Sequence, residues 1–143
     1  AIDPIRIQRK NPITDLRKVL DGGKKAIEAG RSVLVFPQGR RERLFEPASF
    51  NSLGTKLAQN AKAPIIPIAV ATDFLRIGKK HRDVFASVHI KSPVRVSCGP
   101  AIPCDLPRTE IQNRCIDFIS SKLTEWEKLD NRKMLADGKV EPK

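Results

Sequence analysis

Between residues 14 and 30 the apolar positions Leu16, Val19, Leu20, Ala26 and Ile27 recur at helical spacing. This predicts an amphipathic helix with Thr14 or Asp15 as N-cap and Gly30 as its stop. Gly22 and Gly23 in its middle each cost about 1 kcal/mol relative to alanine, so close packing against a sheet or a kink is expected there. The pattern then changes. Ser32-Val33-Leu34-Val35-Phe36 runs without polar alternation, as in a strand buried on both faces of a parallel sheet, and ends at Pro37-Gln38-Gly39. Leu53, Leu57, Ala58 and Ala61 share one face of a second helix over residues 53–61, and Pro64-Ile65-Ile66-Pro67-Ile68-Ala69-Val70 reads as another buried strand. A polar loop over residues 78–83 precedes two alternating strands, at residues 88–90 and 94–98, which Gly99-Pro100 closes. Residues 109–129 form the last helix, opened by a Thr109-x-x-Gln112 capping box, with Ile111, Cys115, Phe118, Ile119, Leu123 and Trp126 facing inward. The polar remainder is expected to fray. Helix alternating with strand is the mark of an α/β fold.

Composition narrows this picture. The chain has 143 residues, of which 40% are apolar, enough to bury one core and too many for a disordered chain. The longest near-continuous apolar stretch, residues 63–71, falls far short of the roughly 20 residues that cross a bilayer. Cys98, Cys104 and Cys115 are odd in number and form no C-x-x-C pair, which predicts a reduced chain without a disulfide framework. Ala1 stands where a Met would begin a whole protein, and no signal-peptide pattern follows it, so the sequence is expected to be a fragment lacking its N-terminal part. Lys and Arg number 27 against 16 Asp and Glu, a formal charge of +11 that calls for an anionic partner. Aromatics make up only 5% of the chain, so a base-stacking platform is poorly supplied and no nucleic-acid partner is expected.

The most informative string is Phe36-Pro37-Gln38-Gly39-Arg40-Arg41, which sets a glycine and two guanidinium groups at the exit of a predicted buried strand. Ligands of α/β folds bind at that end of the sheet. Gly39 lets backbone approach an anion closely, and arginine offers a planar fork that matches phosphate. Arg9, at the end of the alternating run Ile5-Arg6-Ile7-Gln8-Arg9, is placed to reach the same site. The plainer reading makes these cations a solvated basic surface. His81 and Asp83 lie in a basic loop with nothing to complete a triad or a metal site, His89 alternates within a strand, and the cysteines read as small core residues. No Walker loop, G-x-S-x-G elbow or zinc spacing occurs.

In three ordered blocks the chain resembles the glycerolipid acyltransferase family, whose best-known activity is that of 1-acyl-sn-glycerol-3-phosphate acyltransferase. Ile7-Gln8-Arg9 resembles the family's Ile-Asp-Arg strand end, Phe36 to Arg41 its Phe-Pro-Glu-Gly-Thr-Arg block, and Pro64 to Val70 its Pro-Ile-Val-Pro-type strand; Phe50, Gly54, Leu57 and Ala58 also fall at familiar places. The resemblance implies a partly parallel central sheet flanked by helices, in the glycerol-3-phosphate acyltransferase manner and truncated at its N-terminus. Residues 1–129 would be the C-terminal portion of one such domain and 130–143 a flexible tail. It implies transfer of an acyl group from acyl-CoA or acyl-acyl carrier protein to the hydroxyl of a lysophosphatidate-type lysophospholipid, in phospholipid biosynthesis. It also implies that the protein sits peripherally at the cytoplasmic face of a membrane, against an anionic surface, with no metal or bound cofactor.

Arg9, Gln38, Gly39, Arg40 and Arg41 are implied to bind the acceptor's phosphate. The family's general base is a His with an Asp five positions on; here Ala86 stands five after His81 and Val94 five after His89, so the catalytic pair is absent from this sequence. In family order it precedes the first of the three blocks. Gln38 takes the place of the family's Glu and Arg40 that of its Thr, both making the turn more positive, and the stretch Phe50-Asn51-Ser52-Leu53-Gly54 is one residue longer than usual. With part of the sheet's covering missing, an apolar face or edge is expected to be open. The rival reading is a non-catalytic basic module that binds anionic lipid head groups or nucleic acid.

Overall fold

The computed structural model describes residues 4–5, 11–38, 44–72, 75–76, 87–88, 92–131 and 133–136. The order of elements is α1 (Pro12–Glu28), a single 3-10 turn (Pro47–Ser49), α2 (Leu53–Ala61), β1 (Ile68–Ala71), β2 (Leu75–Arg76), β3 (Ser87–Val88), β4 (Arg95–Cys98) and α3 (Arg108–Asp130).

Helix α1 begins two residues before the expected start because Asn11, not Thr14 or Asp15, caps it. The Asn11 side chain accepts from the N–H groups of Ile13 and Thr14, and Pro12 fills the first helical position, where its missing N–H costs nothing. Gly30, at φ +73°, follows the end of the helix as predicted. Gly23 lets α1 approach α2 rather than a sheet, while Gly22 faces the Ile5 side chain. A Cβ on Gly23 would stand 2.7 Å from both Leu57 methyls, so alanine there would gain helix propensity only by displacing a buried leucine.

The sheet departs from the sequence expectation. Among the described residues no parallel central sheet is observed: β1 pairs antiparallel with β4, Ile68 opposite Cys98 and Val70 opposite Val96, and β2 pairs antiparallel with β3. A run of apolar residues without alternation reports burial on two sides but not the direction of its neighbour. Residues 32–36, expected as a strand buried on both faces, join no ladder, and Phe36 is 75% exposed.

Helix α3 covers one face of the β1–β4 pair. Ala69 and Ala71 are small enough to admit Trp126 and Leu123, and Phe45 and Met134 complete that core. A second cluster joins Ile102, Ile111 and Cys115. Burial raises the pKa of the Cys115 thiol, which favours the neutral, unreactive form. The strand β4 is tied to the end of α3 by a guanidinium fork: Arg95 donates from Nε to Asp130 Oδ2 at 2.9 Å and from a terminal nitrogen to Oδ1 at 2.5 Å, holding the arginine's pKa above its ordinary value chiefly through those bonds. The predicted capping box of α3 is not formed. Pro107 stands at the N-cap, and Gln112 Nε2 donates 2.7 Å to the Phe50 carbonyl instead, joining α3 to the loop before α2. The expected fraying tail fails at residues 133–136, which fold back: Phe45 N–H donates to Met134 O at 2.7 Å and Ala136 N–H to Phe45 O at 3.0 Å.

The opposite face of the sheet is open. Ile68, Val70 and Val96 share it with Cys98, by register, and Ile66 and Val94 extend it. This is the exposed apolar face that the sequence predicts. Val70→Thr combined with Val96→Thr should reduce binding of an apolar dye such as anilinonaphthalene sulfonate while leaving the melting temperature within a few degrees, because both side chains are more than half exposed. A large fall in melting temperature would show that the face is covered.

Candidate acceptor-phosphate site

Of the residues expected to hold an anion, Arg9, Gly39, Arg40 and Arg41 lie outside the described residues. So do His81, Asp83 and His89. Gln38 is described, and its surroundings show how the arms of the basic turn are fixed on either side.

On the incoming arm, the Pro37 carbonyl accepts both from the Asn51 backbone N–H, at 3.1 Å, and from Asn51 Nδ2. Gln38 Nε2 donates 3.3 Å to Ser49 Oγ, whose hydroxyl in turn donates 2.9 Å to the Glu46 carbonyl. The amide of Gln38 is thus engaged in bracing the loop, a task for which a neutral donor suits better than the carboxylate it replaces in the family pattern, since a carboxylate has no N–H to give. Asn51 serves twice. Its Oδ1 accepts from Leu53 N–H at 3.0 Å and satisfies a free donor at the start of α2, where the N-cap Ser52 makes no side-chain bond.

On the outgoing arm, Phe45 is buried and its ring meets that of Phe50 edge to face, with centroids 6.3 Å apart and planes at 81°. The Phe45 backbone is held on the returning segment 134–136 by the two hydrogen bonds given above. Both arms therefore rest on one support, residues 45–51, and the five residues 39–43 that separate them in the sequence lie outside the described residues. Val35 faces Gly54 on α2, where an added Cβ would lie at 3.8 Å.

Asn51, Ser49, Phe45 and Met134 were not among the residues singled out by sequence. An Asn followed by Ser and Leu at a helix start carried a recognisable capping signal, whereas nothing in the sequence joins Phe45 to a residue 89 positions later. Among the described residues no three His, Cys, Asp or Glu side chains gather in a way that could hold a metal ion, and no described helix is long and apolar enough to cross a membrane.

Comparison with known proteins adds an independent line. Residues 1–71 match the family described as Acyltransferase. Over 68 residues, 48% of this chain, the sequence is 37% identical to a 1-acyl-sn-glycerol-3-phosphate acyltransferase of Pseudomonas aeruginosa. The match spans 26% of that relative's length. No solved structure matches the chain.

Proposed function

Residues 1–71 belong to the acyltransferase family, and from that premise we propose that the chain supplies the acceptor-binding part of an enzyme of lipid synthesis. The acyl group would come from acyl-CoA or acyl-acyl carrier protein and pass to a lysophosphatidate-type hydroxyl. The observation that carries the proposal is the ordered set Ile7-Gln8-Arg9, Phe36 to Arg41 and Pro64 to Val70 within the segment that matches the family.

In this reading Arg9 and Arg41 grip the acceptor's phosphate, Gly39 admits it close to backbone, and Arg40 adds charge, while Gln38 braces the turn through Ser49. Fixing the phosphate places the acceptor hydroxyl for attack on the thioester carbonyl. A carbon–oxygen bond forms, the carbon–sulfur bond breaks, and the hydroxyl proton is taken by a general base and passed to the departing thiolate. No His of these 143 residues has an Asp five positions on, so the base is not drawn from this sequence. The open sheet face and the charge of +11 together fit a peripheral position on the cytoplasmic face of an anionic membrane.

The chain is expected to bind lysophosphatidate, to ignore the monoacylglycerol that differs only in lacking phosphate, and to release no thiol from acyl-CoA above the blank. Calorimetric titration with the two lipids below their micellar concentrations checks the first two expectations. Equal binding of both would remove the phosphate site. Thiol release by these 143 residues would place the base among them and return His81 to consideration. The rival, a non-catalytic basic module, is favoured by the same charge and by the missing His and Asp; it predicts lipid binding that follows net head-group charge whatever the acceptor's structure.

A further inference from the structure

We draw no further inference here: the strongest candidate, the open apolar face of the β1–β4 pair over Ile66, Ile68, Val70, Val94 and Val96, carries nothing beyond the reading already given, because nothing in the structure shows what covers it.

Discussion

Trp126→Ala is expected to destabilise the domain by about 3–5 kcal/mol, lowering the melting temperature by roughly 10–20 °C. Trp126 is 6% exposed and belongs to the core that joins Ala69 and Ala71 of the sheet to Phe45 and Met134. Its neighbours on the strand are alanines, which cannot grow into the space, and Phe45 is held by its backbone, so the cavity would collapse poorly. Cavity cost rises with the volume that remains unfilled. The same substitution should therefore loosen the support of residues 39–43 as well as the fold. Thermal unfolding followed by circular dichroism measures it; an unchanged melting curve would put Trp126 at the surface, where contact with a membrane interface becomes its better explanation.

The second large effect is expected at the turn itself. In the protein as its gene encodes it, Arg41→Ala should raise the apparent KM for a lysophosphatidate acceptor far more than that for the acyl donor. Loss of a charge-assisted hydrogen bond of roughly 1.5–3 kcal/mol corresponds to about a 10- to 150-fold loss in kcat/KM. Arg41→Lys keeps the charge but gives up the fork and should lie between the two. Gln38→Glu should lose the bond from Nε2 to Ser49 and still leave a functional protein, because Pro37 is pinned separately by Asn51. Steady-state kinetics with each substrate varied in turn checks these expectations. Parent-like acylation by a folded Arg41→Ala protein would make the basic turn mere surface.

What could be read from sequence followed the range of the interactions concerned. Helix α2 falls on its predicted residues and α3 within one residue at each end, since periodicity is local and each apolar stripe has one wall to face. Capping was less legible. Thr109 and Gln112 fit a box by spacing, yet Gln112 reaches the Phe50 carbonyl, 62 residues away, and a long-range partner outweighs a local one wherever the fold supplies it. Strand direction was not legible at all, because Pro64 to Val70 carries the same apolar run whether its neighbour is parallel or antiparallel. The tail read as polar from its composition, yet residues 133–136 dock through the buried Met134, the backbone of Phe45 and the nearby Glu127 carboxylate.

For the candidate site, the three blocks were legible as a resemblance and the family comparison agrees with them over residues 1–71. The residues that hold the turn's arms were not. Ser49, Asn51 and Phe45 have partners that lie 11, 14 and 89 positions away in the chain, and no composition or period records such pairs. The open face over Ile68, Val70 and Val96 has the opposite history: residues apolar on both sides of a strand announced two coverings, and α3 supplies one.

The central claim, acyl transfer to a phosphate-bearing acceptor, is met most directly by thiol release from acyl-CoA or acyl-acyl carrier protein in the presence of lysophosphatidate, using the gene-encoded protein in vesicles that contain anionic lipid. The account predicts thiol release that depends on the acceptor, is lost when monoacylglycerol replaces lysophosphatidate, and needs at least tenfold more acceptor in Arg41→Ala, by the hydrogen-bond scale given above. Lysophosphatidate that binds but leaves thiol release at the blank rate with either donor would contradict it and leave a basic lipid-binding module.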